Sequence, residues 1–112
     1  MKKTFRFAIL FSVMLLAVAA YNTAEANSAM LELGKRVFLE VAEPKCGLCH
    51  SFADAGAVGE IGPSLDDLKP DADRVKAAVV NGIGIMPAFE TLTEAEIDAL
   101  AFYVSDAAGK AK

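Results

Sequence analysis

The sequence is poor in the residues that build most metal and catalytic sites. It holds a single histidine, His50, and two cysteines, Cys46 and Cys49. A structural zinc site takes four ligands, and beyond these three side chains there is no second ligand cluster. Lysine and arginine nowhere gather into a patch able to displace counterions from phosphates, so nucleic acid is a poor partner. No internal repeat or low-complexity tract is present, and no segment carries a strand signal. The longest apolar run, from about Phe7 to Ala20, falls short of the roughly 20 residues needed to cross a bilayer.

That run is nevertheless informative. Lys2, Lys3 and Arg6 precede it, and Ala24-Glu25-Ala26 follows it as a small-x-small site. This is the pattern of a cleaved secretory signal over residues 1–26, which leaves a single domain at 27–112 with no membrane span and predicts a periplasmic protein. The absence of a cysteine at the cleavage point argues against a lipid anchor. The remaining chain carries eight basic residues against fourteen acidic ones, so a partner with a positive patch is favoured. A domain this short has a thin core, and a large apolar prosthetic group can complete it.

Apolar residues Leu33, Val37, Phe38 and Val41 recur at helical spacing and predict a first helix from Asn27 to about Val41, ended by Pro44. Residues 51–68 hold Gly56, Gly59, Gly62 and Pro63 and read as an ordered loop. Asp71 is placed to cap a helix ending near Asn81, with Gly82 as its stop. Residues 82–92 are irregular yet dense in apolar side chains. Thr93 and Glu96 form a capping box for a last helix whose stripe is Ile97, Leu100, Ala101 and Val104. Long apolar loops with no sheet to cover are expected in a compact domain only when they wrap a ligand.

The motif Cys46-Gly47-Leu48-Cys49-His50 says which ligand. Two thiols three positions apart each reach one haem vinyl group, and the adjacent histidine then lies beneath the iron. A disulfide between them would close a very short loop for little entropic gain, and a thioredoxin-like redox pair needs a βαβ setting that is not visible. The sixth iron position has few candidates. Met30 precedes the stripe of the first helix and reads as an ordinary helical residue. Met86 sits in an apolar loop beside Pro87, which stiffens the backbone next to the sulfur; its competing role is core filler. The carbonyl of Pro63 is a candidate acceptor for the other ring N–H of His50; the competing reading of Gly62-Pro63 is a plain turn.

With the haem motif, Gly62-Pro63-Ser64-Leu65 and Met86-Pro87 in this order between helices, the chain from 27 to 112 resembles a class I cytochrome c. The resemblance implies an all-α fold, about four helices and long loops wrapped around one covalently bound haem c. It implies Cys46 and Cys49 as attachment points, His50 and Met86 as iron ligands, the carbonyl of Pro63 as partner of His50, and Leu65 against the haem. It also matches Gly34 and Phe38 to Leu100 and Tyr103 at a crossing of the first and last helices. More narrowly, Asp54-Ala55-Gly56-Ala57, Leu68-Lys69-Pro70-Asp71 and Gly84-Ile85-Met86-Pro87-Ala88-Phe89 make it similar to the cytochrome subunit or electron acceptor of bacterial sulfite dehydrogenases, which are molybdenum enzymes. The expectation is an electron carrier rather than an enzyme, with a sulfite dehydrogenase upstream and a cytochrome or oxidase downstream. The haem should be buried by Leu65, Ile85 and Phe89, with its exposed edge near Lys45. The alternatives are a general carrier for another periplasmic dehydrogenase, or a haem sensor or peroxidase with an open sixth position.

Overall fold

The computed structural model describes residues 2–111. Helix α1 runs over Lys2–Arg36 without a break, so the first helix does not begin at Asn27 as expected. Its residues 12–29 are all exposed, and side chains begin to be covered at Met30. This protruding segment accounts for the long axis of a 70 × 31 × 21 Å particle. Among the described residues no helix is long and apolar enough to cross a membrane. The last turn widens into a π-helix at Val37–Val41, where the N–H of Ala42 donates to the carbonyl of Val37 at 3.0 Å. That extra residue per turn places Val37 and Phe38 in the core, at 0% and 1% exposure.

A 3₁₀ turn at Cys46–Leu48 carries the first cysteine. Two short strands follow, β1 at Ser51–Phe52 and β2 at Ala57–Val58, paired antiparallel with Phe52 opposite Ala57. The expectation of no strand is corrected here. Two-residue strands are too short to show an alternating pattern, and this pair forms because Gly56 takes a left-handed φ of 62° at the end of the intervening turn. Within the expected 51–68 loop lies a further helix, α2, at Leu65–Leu68, capped by the Ser64 hydroxyl.

Helix α3 spans Ala72–Asn81, with the Asp71 carboxylate accepting from the N–H of Arg74 at 2.8 Å and Gly82 at its end. Helix α4 spans Glu94–Ala107 and opens on the expected capping box. The Thr93 hydroxyl accepts from the Glu96 N–H, and the Glu96 carboxylate accepts from the Thr93 N–H. Each cap satisfies donors that the helix itself leaves open.

The C-terminal part of α1 crosses α4, and α3 packs on α4 from another side. At the crossing Gly34 is required, because a Cβ there would collide with the Ala99 carbonyl oxygen and the Cβ of Tyr103. Tyr103 is the expected partner of Gly34. Leu100 is buried in the same core cluster as Phe38 and Tyr103, and it also lines the cavity described below. Phe38 meets Phe52 and Tyr103 edge to face, with centroids 5.4 and 6.3 Å apart, and Phe52 and Tyr103 tilt against each other at 5.3 Å. They lock the hairpin to both helices.

Candidate functional site

The Cys46–Leu48 turn is held by short backbone bonds. The N–H of Leu48 donates to the carbonyl of Lys45, and the N–H groups of Cys49 and His50 both converge on the carbonyl of Cys46, at 3.2 and 3.0 Å. The three motif side chains are thereby brought onto one cavity of about 390 Å³. Leu65 and Phe89, both buried, line it, as do Val75, Val79 and Met86. Ile85 lines it as well, from the loop that carries Met86.

His50 has its ring fixed. Its Nδ1 lies 2.8 Å from the carbonyl oxygen of Pro63. A carbonyl only accepts, so Nδ1 carries the proton and donates, and Nε2 is left with the lone pair a metal requires. Gly62 lies against the ring, where a Cβ would come within 2.6 Å of His50 Cε1 and 2.8 Å of Nδ1. The Gly62 N–H also donates to the Cys49 carbonyl at 2.7 Å. Gly62 therefore clamps the motif and the ring together.

Met86 is presented by a closed turn. The N–H of Ile83 donates to the Met86 carbonyl at 3.0 Å and the N–H of Met86 returns to the Ile83 carbonyl at 2.9 Å. Gly84 supplies the positive φ of 57° this reversal needs. Gly82 adds φ 71° and sits so close to the Met86 carbonyl that a Cβ would lie 2.7 Å from it. The Phe89 N–H pins the far end of the loop to the Val79 carbonyl on α3 at 2.9 Å. Met86 and His50 thus line the same cavity from separate segments. Met30 is not among its lining residues.

The chemistry of this wall fits a covalently attached haem. Two thiols, an imidazole with a free lone pair and a thioether are its soft or metal-binding groups, set in an otherwise apolar lining. Among the described residues no group of three His, Cys, Asp or Glu side chains converges as a metal site of their own would require. Burial pushes the Cys46 thiol up to about 11, the reverse of the lowered value a thiol oxidoreductase needs.

Residues 29–104 match the family model described as cytochrome c oxidase, cbb3-type, subunit III. The chain belongs to this family. The solved structure of the c-type cytochrome SorU from Sinorhizobium meliloti is 64% identical over 76% of this chain and 98% of its own, with a TM-score of 0.74. No curated protein sequence matches significantly. The protein is a small c-type cytochrome of the class I fold, with Cys46 and Cys49 spaced as in a haem c attachment motif and His50 beside them.

Around this cytochrome's cavity the structure adds residues that the sequence did not single out. Asp66 ties two distant segments, its Oδ2 accepting from the Ala53 N–H and its Oδ1 from the Gly109 N–H, both at 2.8 Å. Asp54 accepts from the Tyr103 hydroxyl at 2.6 Å and pairs with Lys35 at 3.1 Å, so α1, the hairpin and α4 meet on one carboxylate. The Tyr103 hydrogen bond, with help from Lys35, holds the Asp54 carboxyl below its usual range. Burial, and then the Asp54 bond, pushes the Tyr103 phenol well above its ordinary value. At Gly59 a Cβ would meet the Cys49 carbonyl carbon and the Gly47 carbonyl oxygen, each at 2.7 Å. The only sequence signal for Gly59 was its place in a glycine-rich loop.

Proposed function

We propose that this cytochrome is an exported one-electron carrier whose iron is held between His50 and Met86, reduced by a sulfite dehydrogenase in the periplasm and oxidised by a downstream cytochrome or oxidase. One observation carries the reading. His50, with Nδ1 committed to Pro63, and Met86, at the end of its closed turn, face one apolar cavity beside both cysteines.

Bound haem supplies a one-electron iron couple. The chain's contribution is to hold and tune it. Donation from Nδ1 to the Pro63 carbonyl increases the basicity of Nε2 and fixes its direction. The Met86 thioether is a soft ligand that favours the ferrous state and leaves no open position for peroxide or a gas. Leu65, Val75, Val79 and Phe89 exclude water from the cavity and raise the potential in the same direction, because a dry wall disfavours the additional charge of the ferric state. Lys45 is exposed beside the half-buried cysteines, and a bound haem would meet its redox partners there through a small, short-lived encounter surface.

Residues 1–26 are assigned as a removed export signal. The exposure of residues 12–29 supports this, since the domain draws no packing from them. The near-complete match of SorU to 76% of this chain points the same way. The sulfite dehydrogenase assignment rests on the resemblance of residues 46–89 and on the likeness to SorU. The oxidase named in the family description supports an oxidase on the output side.

Two measurements test the proposal. The mature protein, made with haem-maturation machinery, is expected to carry one haem mass and to show the methionine-to-iron charge-transfer band when oxidised, with no carbon monoxide binding when reduced. Rapid mixing with purified sulfite dehydrogenase and sulfite is expected to reduce the haem. A haem that stays oxidised while sulfite is consumed removes the dehydrogenase assignment, and carbon monoxide binding at neutral pH removes Met86 as a ligand.

A further inference from the structure

A haem c attached through its two vinyl positions carries two propionate groups on the opposite porphyrin edge, and these are anions at neutral pH. The cavity lining contains no acidic side chain, and its lysine and arginine side chains are Lys45 and Arg74. Lys45 immediately precedes Cys46, which places it at the thioether edge and away from the propionates.

Arg74 comes from a different wall. It stands on α3 one turn after Pro70 and one turn before Ala78, and all three line the cavity, so the row i, i+4, i+8 faces inward. Ala78 is small and leaves the row open beside the guanidinium. Arg74 is exposed, and none of the ion pairs among the described residues uses it. The nearby Asp71 carboxylate is committed to the helix cap, where it accepts the backbone N–H of Arg74. An unpaired guanidinium at the mouth of an apolar cavity, in a protein with an acidic excess, calls for a carboxylate from the cavity's occupant.

We propose that Arg74 binds a propionate of the haem and so orients the group and holds its reduction potential up. This rests on the haem c reading above. A guanidinium meets a carboxylate through two parallel N–H donors and stays charged over the whole working range of pH. Its positive charge offsets the propionate's negative charge, which otherwise stabilises the ferric state, so removing it lowers the potential.

The test compares holoprotein of wild type, Arg74→Gln, Arg74→Lys and Lys76→Gln by redox titration and by infrared difference spectra between the oxidised and reduced forms. Arg74→Gln is expected to lower the midpoint potential and shift the propionate carboxylate bands. Arg74→Lys restores much of the potential but not the bands, because an ammonium cannot make the paired contact. Lys76→Gln removes the same charge from the same helix at a position paired outward with Asp98 at 2.6 Å, and it leaves the bands in place. An Arg74→Gln holoprotein with wild-type bands and potential overturns the proposal, as does an equal shift in Lys76→Gln, which would reduce the effect to net charge. Wild-type protein without covalent haem overturns the haem reading itself, an outcome distinct from either of these.

Discussion

The crossing of α1 on α4 and the wall formed by residues 82–92 are both apolar, yet they are held together in different ways. At the crossing, Phe38, Phe52 and Tyr103 are buried to 2% exposure or less and pack together around Gly34. In the wall, Ile83, Ile85 and Met86 line the cavity, and order comes from backbone bonds closing at Gly82, Gly84 and Met86. The crossing buries its own apolar surface. The wall presents its apolar surface to the cavity and depends on what fills it. Stability and function are therefore placed in different parts of the molecule, joined by α3, whose Val79 carbonyl anchors Phe89.

The largest effect should follow from removing the attachment points. Cys46→Ser with Cys49→Ser is expected to give a mature polypeptide with no haem mass, read by mass spectrometry. Its amides at 82–92 should lose exchange protection before those of the α1 and α4 crossing. Simultaneous loss in both regions would break the comparison, since the crossing would then have no stability of its own.

Next is Gly34→Leu, which forces a side chain into the Ala99 carbonyl and Tyr103. Overpacking of this kind costs on the order of 1–3 kcal/mol, and more where backbone must move. Denaturant unfolding of the holoprotein should show that loss while the methionine-to-iron band persists. Met86→Ala should do the reverse, removing the band and lowering the potential in a redox titration with a smaller change in unfolding midpoint. If both variants altered both readouts alike, the two regions would not be separable.

The smallest effect is expected from Tyr103→Phe, which removes a hydrogen bond to a partly exposed carboxylate and should cost about 1 kcal/mol. It also changes the pH profile. Asp54 is held below its usual range by Tyr103 and Lys35, so its contribution is present above the ordinary carboxylate value near about 4 and is lost as pH falls. Tyr103 is pushed up, so its contribution is full below the ordinary phenol value near about 10 and is lost as pH rises. In the variant the alkaline loss should vanish and the acid loss should shrink. An unchanged profile in unfolding experiments from pH 3 to 11 would remove the Asp54 link.

Much of the site was legible in the sequence because its parts are local. Cys46, Cys49 and His50 act through a spacing of a few residues, Asp71 and the Thr93–Glu96 box cap helices within one turn, and the Pro63 carbonyl, 2.8 Å from His50 Nδ1, lies only thirteen residues along the chain. The errors fell where local signals were weak or distances long. The Ser51–Phe52 and Ala57–Val58 pair is too short for a period, and the widened turn at Val37–Val41 follows ordinary helical spacing in sequence.

By itself, the sequence determined the covalent chemistry of the attachment motif and where the last two helices begin, because neighbouring residues on one chain meet whatever the rest does. Tertiary structure alone decided that Asp54 joins Lys35 to Tyr103, that Asp66 joins Ala53 to Gly109, that Gly59 lies against Cys49, and that Arg74 reaches the cavity mouth. Those pairings span tens of residues, and composition carries no record of them. They exist because the α1 and α4 crossing and the packed aromatic rings bring remote segments to one place.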